Sequence, residues 1–135
     1  MGAWSHEPFG NDTAGDWAYG LVESTDLSHI EAALDKVLEQ SGYLEAPDSE
    51  QAIAAVEVLA KVRGKGTQSD SYTEEVDAWV ASLQAKPTSA LLQKAKRVLQ
   101  RIVSKDSELL ELWSQGDEAD SWKSSIASLQ SAINA

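Results

Sequence analysis

A chain of 135 residues, 42% apolar and 24% charged, is long enough for one domain with a real core. It has no cysteine, which excludes a disulfide framework, a thiolate metal site and a cysteine nucleophile. Its net charge of −11 opposes nucleic acid and anionic membrane and favours basic partners.

The apolar runs are short, so no membrane span is expected. The N-terminus lacks a basic stretch followed by an apolar one, so a cytoplasmic location is expected. The charge is unevenly placed: residues 1–60 carry net −11, residues 61–105 net +5 and residues 106–135 net −5.

The periodicity is helical nearly throughout and predicts an all-α fold: one compact domain over residues 1–135, with six or seven short helices, mostly antiparallel neighbours. Residues 1–10 are expected to be an anchored N-terminal segment. Ala14, Trp17, Ala18 and Leu21 mark one face of a first helix, with Asn11 or Asp12 as its cap. Leu27, Ile30, Leu34, Val37 and Leu38 mark a second, capped by Asp26 and stopping near Gly42. His29 falls on its polar side and is expected to be solvated.

"APDSEQAIAAVEVLAKVRGKG" predicts a third helix, capped by Asp48 with Gln51 completing a capping box, and ended by Gly64. Residues 65–70 are polar and contain glycine, the composition of a mobile loop. "SYTE" predicts a fourth helix from Ser71, with Val76, Trp79, Val80 and Leu83 inward. Pro87 and Thr88 break and restart the chain. Leu91, Leu92, Ala95, Val98, Leu99 and Ile102 mark the fifth helix. "DSELLELW" is expected to bury Leu109, Leu112 and Trp113, and the last helix to bury Trp122, Ile126, Leu129 and Ile133. No stretch alternates with period two.

The opening, "MGAWSHEPFGNDTAGDW", concentrates aromatic and acidic residues. Capping by Asn11 or Asp12, a staple by Phe9 and anchoring by Trp4 and Trp17 account for most of it. Each tryptophan buries on the order of 150–250 Å², which at about 25 cal/mol/Å² is roughly 4–6 kcal/mol of gross transfer free energy. The competing reading makes His6, Asp12 and Asp16 a metal site, with Asp12 and Asp16 sharing a helix face.

The opening resembles that of a family of small bacterial proteins known as domain of unknown function 4259. The residues that carry the likeness are Gly2, Ala3, Trp4, Phe9, Asn11, Asp12, Ala14, Asp16 and Trp17. It continues through "AIAAVEVLAKVRG", Trp79, "DSELLELW" and Trp122, and so covers nearly the whole chain. Members of that family usually have glycine where this chain has Ser5 and Glu7. If a positive-φ turn lies there, this chain makes it differently. The resemblance implies a helical fold and transfers no activity.

Two further clusters stand out. Lys94, Arg97, Arg101 and Lys105 fall in one arc of the fifth helix. They read either as an anion contact or, more simply, as internal partners for the acidic first third, with Arg97 and Arg101 facing acidic side chains. Glu31, Asp35 and Glu39 line one side of the second helix as a solvated face or a docking surface for a basic protein. Two functions follow. One is a non-catalytic acidic module that binds a basic protein partner through Glu31, Asp35 and Glu39, of the physical type of a toxin-neutralising immunity protein. The other is a small metal-dependent enzyme using His6, Asp12 and Asp16. The first reading needs no cofactor, no nucleic acid and no membrane.

Overall fold

The run from Ala52 to Ala60 has no exposed side, and every one of its nine residues is buried. All but Glu57 are apolar, and a helix apolar on nearly every side has to be enclosed. In the computed structural model, which describes Ala3 and residues 5–134, this helix forms the axis of the fold. The elements are α1 (Asp12–Val22), α2 (Ser28–Leu38), α3 (Ala46–Val62), a 3-10 turn (Ser71–Thr73), α4 (Glu74–Ser82), α5 (Ser89–Ile102), α6 (Glu108–Ser114) and α7 (Ala119–Ile133). α3 touches all six other α-helices. Alanines at 52, 54, 55 and 60 let those neighbours approach its backbone closely.

The fold is all-α. The only β-type pairings among the described residues are two isolated bridges, Ala3 with Asn11 and Leu44 with Ser107. No helix among the described residues is long and apolar enough to cross a membrane.

Several caps sit where local sequence puts them. Asn11 accepts from the Ala14 amide at 2.8 Å and Thr88 from the Leu91 amide at 3.1 Å. Gly64, at φ 76°, closes α3 in a Schellman turn: its amide bonds to Lys61 O at 2.9 Å and that of Lys65 to Ala60 O at 2.8 Å.

Three caps shift. α3 begins at Ala46, so Asp48 lies inside its first turn rather than at the cap. Asp26 accepts from the Ser28 amide at 3.0 Å, but Leu27 is the residue flanking α2. The capping box before α4 is formed by Asp70 and Thr73 around the 3-10 turn, not by Ser71 and Glu74. Ser5 and Glu7 adopt no positive φ; Asp106, at φ 64°, is the single described non-glycine residue that does. The opening turn therefore needs no left-handed residue at either position.

Phe9 and Trp17 are buried, as the anchored opening requires. Trp4 lies outside the described residues. His29 is not solvated: its ring stacks on Trp17 with centroids 4.9 Å apart, and Nε2 lies 3.1 Å from the Trp17 carbonyl oxygen. Leu112 is 40% exposed and Trp113 only partly covered, against the expected burial of both. α6 has just seven residues, and its inward face is filled by Leu109.

The loop over 65–70 is tied down by Glu57, a fully buried carboxylate on α3. Glu57 accepts from the Thr67 amide (2.8 Å), the Thr67 hydroxyl (2.6 Å) and the Gln68 amide (2.8 Å). A buried carboxylate persists only with such a set of donors. Lys61, one turn on, lies 3.7 Å from Glu57, donates to the Gln68 carbonyl and pairs with Asp77 at 2.7 Å. Gly66 permits this approach, because a Cβ there would lie 2.6 Å from the Lys61 side chain. Gln68, buried in turn, accepts from the Phe9 amide at 2.8 Å. The N-terminal segment is thus fastened to the central helix through one glutamine.

Candidate functional site

The start of α3 is built by a neighbour. Glu45, the residue before it, makes no side-chain cap. Instead Glu108, the first residue of α6, accepts from the Ala46 amide at 2.7 Å. The pairing of Leu44 with Ser107 holds the two helix starts together, through Leu44 N to Asp106 O at 2.8 Å and Glu108 N to Leu44 O at 2.9 Å. α6 is thereby laid beside the first turns of α3, with α1 opposite and the turn at 116–118 closing one end.

Between them lies a cleft of about 660 Å³. Among the described residues its walls carry five carboxylates, Glu45, Glu50, Glu108, Asp117 and Glu118, and no lysine or arginine. Its apolar lining comes from Ala46, Pro47, Leu109, Leu112 and Trp113. Trp113 is backed by Trp122 on α7, with ring centroids 6.3 Å apart and planes 7° from parallel. This stack fixes the indole without burying it.

Glu50 is half-buried in this wall. Burial pushes its carboxyl above the ordinary value; a hydrogen bond from the Thr13 side chain opposes that shift, and the nearby charge of Glu108 adds to it. Just behind, a recess of about 20 Å³ is bounded by Asn11, Glu50, Trp113, Trp122 and His6, among others. Nδ1 of His6 is buried with no hydrogen-bond partner among the described residues.

The residues singled out from the sequence are placed differently. Lys94 of α5 binds Glu31 at 2.6 Å and Asp35 at 2.8 Å, so two of the three α2 carboxylates are already matched; Glu39 is exposed at the end of the helix. These contacts raise the Lys94 pKa, Asp35 more than Glu31.

Internal pairing of the basic helix therefore falls to Lys94 and not to Arg97 and Arg101. Arg101 donates to backbone carbonyls instead: Gly42 at 2.6 Å, Lys105 at 3.2 Å and Asp106 at 3.3 Å. Arg97 and Lys105 are exposed and make no ion pair with the described residues. With Lys94 and Arg101 committed internally, the four cations do not form one free anion site.

His6, Asp12 and Asp16 are not gathered either. Asp12 and Asp16 are exposed on α1, while His6 borders a separate depression of about 440 Å³ facing serines of α7. Among the described residues no group of three or more His, Asp or Glu is placed to hold a metal ion.

Residues 2–125 match the family model described as domain of unknown function (DUF4259). The chain belongs to the DUF4259 family. No curated protein and no solved structure matches it. In this DUF4259 protein the residues that sequence reasoning missed are the cleft's own: Glu45, Glu50, Glu108, Asp117 and Glu118. Each reads as an ordinary helix-end or surface acid. The one signal in the sequence is the acidic balance of the two ends of the chain, since the cleft's acids lie within residues 45–50 and 108–118, outside the basic segment 61–105.

Proposed function

We propose that this protein is a non-catalytic interaction module that binds a basic protein partner, and that it does so at the cleft between α1, α3 and α6. The observation that carries this reading is the pairing of five carboxylates, with no cationic side chain among the described lining residues, against an apolar wall that includes a partly exposed tryptophan. Such a wall supplies contact area, and the carboxylates select the sign of the partner and speed its approach. The acidic face of α2 is the weaker docking candidate, because Lys94 already pairs with both Glu31 and Asp35 and offsets half of their charge. The module is of the physical type of a toxin-neutralising immunity protein, which meets a basic target through a preformed acidic surface.

The test is affinity capture on the immobilised protein in extract of the native host, followed by reconstitution of the complex from purified components. A basic partner bound in a defined stoichiometry, with association slowed by salt, supports the reading. Capture that yields no basic protein able to re-form the complex contradicts it.

A further inference from the structure

Resting on that reading, we infer that the cleft seats an arginine side chain of the partner, with its guanidinium between Glu50 and Glu108 and the apolar residues beside it on Leu112 and Trp113.

The first argument is charge complementarity. The charged side chains of the described walls are all carboxylates, which only accept hydrogen bonds when ionised. Arginine is the side chain with five donors and no acceptor, held in a planar fork that two carboxylates can share. Glu108 has one oxygen engaged by the Ala46 amide and leaves the other for a ligand.

The second argument is the wall itself. Trp113 lines the cleft and is held rigid by Trp122. An indole face offers contact area to a flanking apolar side chain, and the aliphatic stem of the arginine covers further apolar surface. Leu112 is 40% exposed with nothing of the described chain covering it, which is where a flanking apolar residue gains contact.

The third argument is space. About 660 Å³ falls within the range of roughly 300–1,000 Å³ used by peptide-sized and drug-sized ligands, and far exceeds what an ion needs. The acidic side chains are spread along the walls and do not converge as a metal site requires. An extended organic cation matches that distribution. At the inner end, the recess beside Glu50 leaves room of about 20 Å³, and His6, which also borders it, has a buried Nδ1 with no partner among the described residues. A polar atom in that position is open to a further donor of the ligand, or to a water it carries in.

Partial burial gives Glu50 the leading role. A cation brought to a half-buried carboxylate is less screened than one at an exposed rim, so its loss is felt more.

The experiment is calorimetric titration of the full chain with three synthetic peptides, acetyl-Leu-Arg-Leu-Phe-amide and its lysine and citrulline counterparts. The arginine peptide is expected to bind, the lysine peptide several-fold more weakly and the neutral citrulline peptide not measurably. Glu50→Gln should weaken the arginine peptide by at least about ten-fold. Leu112→Ser, at an exposed position that the fold does not need, should weaken it by about three-fold. Equal binding of the citrulline peptide, or an unchanged affinity in Glu50→Gln with wild-type circular dichroism, overturns the inference. A lysine peptide that binds as tightly overturns the choice of arginine. If a basic partner protein binds with an affinity that Glu50→Gln leaves unchanged, the cleft assignment falls and the acidic-module reading stands. If the arginine peptide binds but no basic protein re-forms a complex, it is the module reading that falls.

Discussion

α3 carries a glutamate near each end, Glu50 and Glu57, two turns apart and so on nearly the same side of the helix. Glu57 is enclosed and complete: two amides, a hydroxyl and Lys61 surround it, and the loop that brings them closes over it. Glu50 is half-covered, with the Thr13 side chain beside it, and shares its wall with further carboxylates and with no lysine or arginine among the described residues. The same side chain on the same helix is a structural clamp where the chain supplies donors; where it does not, we propose it as a recognition group.

That contrast can be broken at either end. The largest effect is expected at the closed end. Glu57→Ala leaves two backbone amides and a lysine without their buried partner and should cost about 3–5 kcal/mol in chemical denaturation. A loss below about 1 kcal/mol would show that the loop re-forms its bonds elsewhere. Gln68→Ala cuts the link between this clamp and the opening segment and should cost about 1–3 kcal/mol. Hydrogen exchange gives the specific readout, with the Phe9 amide losing protection while amides of α5 keep theirs. Removal of residues 1–10 should lower the melting temperature in the same direction.

On the α2–α5 face the effect is smaller. Lys94→Met leaves Glu31 and Asp35 facing each other without a cation, but both are exposed enough for water to screen them. A loss of up to about 1 kcal/mol, shrinking at high salt, is expected from thermal melts. Charge reversal at Arg97 should change stability little by comparison, which separates Lys94 from its neighbours on the same stripe.

The smallest effect is at Glu50, and its sign is opposite. The folded-state pKa of Glu50 lies above its ordinary value of 4.5, so its protonation favours the fold. That contribution is fully present below the ordinary value and is lost as pH rises through the raised one. Glu50→Gln, which is always neutral and keeps a partner for Thr13, retains it at every pH. The variant should therefore melt slightly above wild type at neutral pH, and the two curves should converge at pH 4. A variant less stable than wild type at pH 7 would place Glu50 among the structural groups.

The parts of this fold that were legible in the sequence are those set locally. Asn11, Thr88 and Gly64 act within one turn of their own position, and the inward residues of α5 and α7 follow a simple period. What was not legible depends on residues far apart. α3 starts at Ala46, two residues ahead of Asp48, because Glu108 supplies the acceptor from another helix. The wheel of α5 shows four basic residues in an arc, but only the packing of α5 against α2 decides that Lys94 meets the carboxylates. Arg101 reaches Gly42 at the far end of the same pair, so α2 and α5 run in parallel, a relation that no local pattern encodes. The cleft was hidden for the same reason: its acids come from two stretches far apart in the chain, 45–50 and 108–118, and each alone resembles a solvated helix end. The loop at 65–70 was misleading in the opposite sense, since the Thr67 hydroxyl and the amides of Thr67 and Gln68 bond a buried carboxylate on α3.

The most direct test of the central claim, that the cationic partner is received by the cleft, is chemical-shift mapping of the isotopically labelled chain titrated with the arginine peptide. The largest shifts are expected at the Trp113 indole N–H and at the amides of Glu50, Glu108 and Leu112, with Glu31, Asp35 and Glu39 unmoved. Shifts confined to that α2 face, with the Trp113 indole unchanged, would contradict the account.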